Sequence, residues 1–323
     1  MKIFVTRRIP EKGLDLLRKY HDIQVNPENR VLEKYEIIKG LKGMDGLVCL
    51  LTDTIDKEII ESESKLKMIA NYAVGYNNID VESATSQGIP VSNTPGVLTD
   101  ATSEMAWALL FAVARRIVES DQFTRDGHFN GWDPMLLHGL DIKGKTLGVI
   151  GAGRIGTAFA LKSKGFAMNV LYTDEERNQV LEEELQAEKV SLETLLQDSD
   201  FISIHVPLND LTYHLIGEKE FQMMKKDAVL VNTSRGPVVD EQALIQVLKE
   251  KRIFGAGLDV YEHEPSVPDE LINLDNVVLQ PHSASATVNS RTDMAIMAAK
   301  NMIAGLKGEI PPNCVNPEIF DKK

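Results

Sequence analysis

Thr146-Leu147-Gly148-Val149-Ile150-Gly151-Ala152-Gly153-Arg154-Ile155-Gly156 is the stretch on which the fold is decided. Its first five residues form a short apolar run of the kind that makes a fully buried parallel strand, and apolar residues then recur at helical spacing from Arg154 to Lys164. A Gly-x-Gly-x-x-Gly turn set between a strand and a helix is the dinucleotide-binding fingerprint. Gly151 permits the tight turn, Gly153 lets the backbone N–H groups of the loop approach a pyrophosphate, and Gly156 lets helix and strand pack closely. Arg154 and Ile155 open the helix, whose N-terminus favours phosphate charge. Asp174 stands just past the next strand, Asn169 to Tyr172, about 20 residues beyond the loop, where an acid accepts the ribose hydroxyls and repels a 2′-phosphate. That favours NAD. The neighbouring Arg177 keeps NADP as the alternative, and Asp174 also fits as the cap of a helix starting at Glu175.

Around this stretch, strands and helices alternate. In the second half, Phe201 to His205, Ala228 to Asn232, Phe254 to Leu258 and Val277 to Leu279 complete a six-stranded doubly wound sheet. In the first half, Ile3 to Val5, Gly46 to Leu50, Met68 to Tyr72 and Pro90 to Ser92 read as strands. They are separated by helices over Lys12 to Tyr20, Glu33 to Leu41, Asp56 to Ser62 and Val81 to Gln87, with no glycine-rich phosphate loop. A helix from Ala101 to Glu119, apolar on every side at its centre, is expected to lie between two layers at the domain junction. Asp121 to Lys145 is polar and reads as an arm or lid. A last helix, Ala286 to Leu306, is expected to cross back to the first domain.

The chain has 323 residues, and two domains are the default at that length. Its 35 Lys plus Arg against 48 Asp plus Glu give a net charge of -13, which disfavours nucleic acid and anionic lipid as partners. An anionic substrate therefore needs a local positive site. Cys49 and Cys314 fall in no metal or redox spacing and read as cytoplasmic structural thiols. The apolar run at the N-terminus is too short for a signal or membrane segment, and the seven histidines show no ligand spacing.

Three segments place polar residues directly after apolar strands of the second half, where open α/β sheets hold their ligands. They are Asn232-Thr233-Ser234-Arg235-Gly236, Leu258-Asp259-Val260-Tyr261-Glu262-His263-Glu264-Pro265 and Gln280-Pro281-His282-Ser283. An arginine, an acid and a histidine suit carbonyl reduction: a cation to polarise the carbonyl, a proton donor, and a carboxylate to keep that donor protonated.

Together with Asn77-Asn78-Ile79-Asp80, Asn93 to Thr99, the Gly151 loop, His205-Val206-Pro207-Leu208 and His282 to Thr287, these segments resemble the D-isomer-specific 2-hydroxyacid dehydrogenase family. Within it the chain is most similar to the glyoxylate/hydroxypyruvate reductases. The resemblance covers almost the whole chain. It implies an α/β architecture of two Rossmann-like domains: a flavodoxin-like substrate domain, 1–99 plus 287–323, and a doubly wound NAD-binding domain, 100–286, with the active-site cleft between them. It implies Arg235 as anchor of carboxylate and carbonyl, His282 as acid/base and Glu264 as the partner that raises the His282 pKa. Asp259 would lie near the nicotinamide carboxamide. His205, Val206, Pro207, Thr212, Thr233, Ser234 and Ala284 would line the cofactor. The backbone N–H groups of Val74 and Gly75 would hold the substrate carboxylate, and Leu51 would line the substrate pocket. Trp132-Asp133-Pro134 is similar to the segment that carries a tryptophan into the neighbouring subunit's site, implying a homodimer with its arm at about 121–145. The chain departs from the family at Ser283-Ala284, where an apolar residue and a glycine are usual, which puts the fine geometry of His282 at issue.

Three rival readings share the architecture. A 3-phosphoglycerate dehydrogenase needs clustered Arg or Lys for its phosphate, and 71–80 contains none. Formate dehydrogenases pair the histidine with an amide, unlike Glu264. An NADH-sensing corepressor would bind NADH tightly with negligible turnover.

Overall fold

The computed structural model describes Met1 to Asp321, and the chain divides into two compact units. In chain order the first 98 residues form β1 (Lys2–Val5), α1 (Glu11–Arg18), β2 (Asp22–Val25), α2 (Lys34–Leu41), β3 (Gly46–Leu50), α3 (Lys57–Glu61), β4 (Met68–Tyr72), α4 (Val81–Ser86) and β5 (Val91–Ser92). Next come α5 (Thr99–Ala114), α6 (Ile117–Arg125), β6 (Thr146–Ile150), α7 (Arg154–Lys162), β7 (Asn169–Thr173), α8 (Gln179–Leu185), β8 (Glu188–Lys189) and α9 (Leu192–Asp198). The remainder is β9 (Phe201–Ile204), α10 (Glu218–Met223), β10 (Val229–Asn232), α11 (Glu241–Lys249), β11 (Gly255–Leu258), α12 (Asp269–Ile272), β12 (Val277–Leu279) and α13 (Val288–Leu306).

One unit is Met1–Leu98 with the chain from Ala286 onward, built on a parallel sheet of order β2-β1-β3-β4-β5. Helix α13 belongs to it and packs on α1 and β4; the contact is close because Gly13 and Ala295 leave no room for a larger side chain. The opposite face carries the core of Ile37, Leu41, Leu47, Ile59, Ile69 and Val91.

The other unit is Thr99–Ser285, built on a seven-stranded parallel sheet, β12-β11-β10-β9-β6-β7-β8. Chain order reverses between β6 and β9, and at that point the C-terminal ends of adjacent strands part to leave a crevice. One face is filled by α5 and α7, where Trp107 stacks on Phe159 at 5.0 Å and donates its indole N–H to the Phe159 carbonyl at 2.9 Å. Leu195, Ile202, Phe221, Leu244 and Leu248 fill the other.

Several elements depart from the sequence expectations. The helix expected from Ala101 to Glu119 is two helices: Arg116 takes a left-handed backbone, φ 51°, and α6 sets off in a new direction. That residue is neither Gly nor Pro, so nothing in the composition announces the break. The polar stretch from Asp121 accordingly begins inside α6. Strands β2 and β8 are additional; both lie at sheet edges and neither carries an apolar run. Among the described residues, no helix is long and apolar enough to cross a membrane.

Candidate functional site

The glycine loop follows β6 and opens α7. Gly151 has φ +91°, and a Cβ there would meet the Val206 backbone nitrogen at 2.8 Å, so the turn and its neighbour both require glycine. A Cβ on Gly156 would stand 1.9 Å from the Gly151 carbonyl, which ties the helix directly to the turn. Gly153 differs: a Cβ there would meet nothing within 4 Å, so the second glycine borders open space beside the first turn of α7, which contains no acidic residue. Amides at such a helix start lack intrahelical acceptors. An anion on the N–H groups of Gly153, Arg154 and Ile155 fits this arrangement.

Asp174 does not cap a helix at Glu175; α8 begins at Gln179 and is capped by Asn178. The Asp174 carboxylate instead accepts the Ala152 N–H at 2.6 Å, which sets its second oxygen beside the glycine loop. Arg177 is engaged by Glu182, with contacts of 3.0 and 2.8 Å. Asn178 reaches back to the loop through the Ala152 carbonyl and the Thr157 hydroxyl.

Across the parting of the sheet, His205 follows β9. Its Nε2 meets the Ser203 hydroxyl at 2.9 Å and its ring packs on Phe159. Burial pushes its pKa down to about 3, so it is neutral. The Thr212 hydroxyl donates to the Pro207 carbonyl at 2.6 Å and fixes the turn that follows Val206. Thr233 Oγ1, at the end of β10, is buried with no protein partner and is a hydrogen-bonding group at hand for a bound dinucleotide. Open space at Gly153, an acid at the loop and an orphaned hydroxyl together fit a nicotinamide dinucleotide. The Ser234 hydroxyl is taken by Asn232 in its own turn.

That turn carries Arg235. The Asn232 side chain accepts the Ser234 N–H and donates to the Arg235 carbonyl, fastening both ends of the turn, while the Arg235 guanidinium bonds the Ser234 carbonyl at 2.8 Å. Burial lowers the Arg235 pKa, and the charge of Glu264 pulls it back up. Glu264 Oε2 lies 2.7 Å from His282 Nδ1, and its other oxygen accepts the Tyr261 N–H at 3.1 Å. Burial raises the Glu264 pKa; the bond and charge of His282, the Tyr261 amide and Arg235 overcome this and hold it below the usual carboxylate range. Arginine, glutamate and histidine therefore form one electrostatic group at the ends of β10, β11 and β12.

His282 occupies the left-handed region, φ 53°. The two residues that follow explain how it stays there: fully buried Asp259 accepts the Ser283 and Ala284 N–H groups at 2.7 and 2.8 Å. Burial raises the Asp259 pKa, and those two amides oppose the rise. Both of its oxygens are thus occupied by the histidine loop, a duty the sequence did not disclose. Ala284 is buried and is not among the positive-φ residues, so a methyl is accommodated where glycine is usual.

In the other unit, the Val74 and Gly75 carbonyls accept from Asn93 at 2.7 Å and Asn71 at 2.9 Å, which fixes the peptide planes on either side of Gly75. Leu51 is partly buried in the turn after β3, with Asn78 donating to the Leu50 and Asp53 carbonyls beside it. Trp132 is 85% exposed and, with Met135 and Phe129, presents an apolar surface on the arm.

Residues 107–284 match the model of the D-isomer specific 2-hydroxyacid dehydrogenase NAD binding domain. A glyoxylate reductase of Thermococcus litoralis is 53% identical over 99% of this chain and 98% of its own length. A Thermus thermophilus protein of solved structure superposes with a TM-score of 0.92 at 42% identity, covering 98% of this chain and all of that one. The NADPH-dependent glyoxylate/hydroxypyruvate reductase of Sinorhizobium meliloti, solved with NADP and malonate, gives 0.87 at 29% identity over 98% of this chain and 97% of that one.

Proposed function

Because the chain belongs to the D-isomer specific 2-hydroxyacid dehydrogenases, we propose that it reduces small 2-oxo acids, glyoxylate first and hydroxypyruvate with it, at the expense of NADH. The observation that carries this reading is the 2.7 Å contact between Glu264 and His282 in the unit that bears the glycine loop. When bound, reduced nicotinamide supplies the hydride that the 2-oxo carbon receives.

The residues do the rest. Arg235 offers a fixed cation to the substrate's carboxylate and keto oxygen, where negative charge grows as reduction proceeds. His282, held at Nδ1 by Glu264, presents Nε2 and gives its proton to the developing alkoxide. The carboxylate fixes the ring's orientation throughout. In the first unit, the proposed substrate contacts are the Val74 and Gly75 N–H groups and Leu51. In the second, the proposed cofactor contacts are Gly151, Gly153 to Gly156, Asp174, His205 to Pro207, Thr212, Thr233, Ser234 and Ala284; Asp259, fully buried with both oxygens on the histidine loop, serves the site by holding that loop instead. Asp174 favours NADH by accepting from ribose hydroxyls and repelling a 2′-phosphate. The engagement of Arg177 by Glu182 acts in the same direction, since it occupies the nearby cation.

The exposed Trp132 arm is assigned to a homodimer in which an aromatic wall from one subunit serves its partner. Free thiols at Cys49 and Cys314 agree with a cytoplasmic setting. A steady-state panel of 2-oxo acids against NADH and NADPH, read as loss of nicotinamide absorbance, tests substrate and cofactor together. Turnover of glyoxylate with NADH is expected, and tight NADH binding without turnover of any 2-oxo acid would overturn the proposal.

A further inference from the structure

Glu264 is presented by a short segment, Tyr261 to Pro265, whose fastening lies outside the Arg235–Glu264–His282 group. Glu262 and Glu241 grip one another's backbone: Glu262 Oε2 accepts the Glu241 N–H at 3.2 Å, and Glu241 Oε1 accepts the Glu262 N–H at 3.2 Å. The other Glu262 oxygen, Oε1, meets His214 Nε2 at 2.9 Å. These groups are sheltered, with the Glu262 side chain 12% exposed and Glu241 buried.

Each anchor is itself fixed. Glu241 is the first residue of α11, which Asp240 caps through the Ala243 N–H. His214 takes a left-handed backbone, φ 48°, stacks on Tyr213 at 4.1 Å and donates its own N–H to the Pro237 carbonyl at 2.8 Å. Its Nδ1 stands 4.0 Å from Asp240. The turn that carries Arg235 leans on the same place, since a Cβ on Gly236 would fall 1.9 Å from the Tyr261 carbonyl and 2.5 Å from the Glu262 nitrogen.

We propose that Glu262, gripped by Glu241 and His214, is a positioning residue that sets the location of Glu264, and through it of His282, without touching substrate or cofactor. The inference rests on the acid/base reading given above. Only His263 separates Glu262 from Glu264, and the Tyr261 N–H bonded to Glu264 belongs to the same clamped backbone. Release of the clamp lets the segment drift, and a displacement of an ångström at a proton-transfer group costs on the order of 10²-fold in rate. A merely structural ion pair would affect folding and cofactor affinity together and leave the acid/base behaviour alone.

The test compares Glu262→Ala, Glu262→Gln and His214→Asn with the unaltered enzyme, Glu264→Gln and His282→Asn. Asparagine is chosen at position 214 because it tolerates positive φ. Turnover number, KM for glyoxylate, NADH affinity by fluorescence, thermal midpoint and the pH–rate profile are measured for each. Glu262→Ala is expected to lose roughly 30- to 100-fold in kcat, with NADH affinity kept and the pH limb displaced. Glu262→Gln, which keeps an oxygen for the Glu241 N–H, is expected to recover most of that loss, and His214→Asn to lie between. Unchanged kcat and pH profile in Glu262→Ala overturn the inference, as does a loss that comes with equal weakening of NADH binding. If Glu264→Gln and His282→Asn also turn over normally, it is the acid/base reading that has failed.

Discussion

Replacing Asp259 by Asn keeps the side chain's shape and removes one of the two acceptors that hold the histidine loop. In the structure each carboxylate oxygen takes one amide, at 2.7 Å from Ser283 and 2.8 Å from Ala284, in a fully buried setting. An asparagine can satisfy only one of them and turns its own NH2 toward the other. A hydrogen bond to a charged group contributes about 1.5–3 kcal/mol, and a buried N–H left unmade costs about 1–3 kcal/mol. Part of this returns because a buried charge is removed, which the raised pKa of Asp259 reflects. A net loss of about 2–3 kcal/mol follows, and at roughly 2–4 °C per kcal/mol for a unit of this size the melting transition falls by about 5–10 °C. The catalytic effect is larger in proportion. His282 sits at φ 53°, a conformation that persists only while its surroundings enforce it. With the following two amides half released, the ring leaves the line set by Glu264, and kcat is expected to fall about 10²-fold. Calorimetry and glyoxylate-dependent oxidation of NADH read the two effects. An Asp259→Asn protein that melts and turns over like the unaltered one would refute this account of the loop.

Further expectations follow from the same geometry. Glu264 fixes the His282 ring through the 2.7 Å contact, so Glu264→Gln is expected to lower kcat for glyoxylate about 10²-fold with NADH affinity kept, and an unchanged kcat counts against the pairing. Burial holds His205 neutral with a pKa lowered from 6.5 to about 3, so its contribution to stability is complete above pH 6.5 and is lost as the pH falls toward 3. At about 1.4 kcal/mol per unit, pH 5 costs about 2 kcal/mol relative to pH 7, and His205→Gln should show that much less acid dependence in urea denaturation. Trp132→Ala is expected to change selection among 2-oxo acids more than NADH affinity, and equal changes in both would reduce the tryptophan to a packing role.

The parallel strands were legible because buried strands are continuous apolar runs, and β3, β4, β6 and β12 have the limits that the runs suggested. Strands β2 and β8 were not, since Asp22–Val25 and Glu188–Lys189 contain no continuous apolar run. The break at Arg116 and the left-handed backbone at His282 depend on tertiary enforcement of a conformation that the residue itself does not prefer. At the site, residue types and order at the strand ends pointed to Arg235, Glu264 and His282, and the structure groups them. The groups that hold them in place, Asn232, Asp259 and Glu262, are ordinary polar residues in sequence. They acquire their parts only from the backbone amides that folding brings opposite them.

The central claim is that His282 passes the proton. His282→Asn addresses it most directly, because asparagine accepts the left-handed backbone and removes only the acid. In single-turnover reduction of glyoxylate by bound NADH, the account expects a rate lower by about 10²–10⁴-fold with NADH affinity intact. A variant that reduces glyoxylate at the native rate would contradict it.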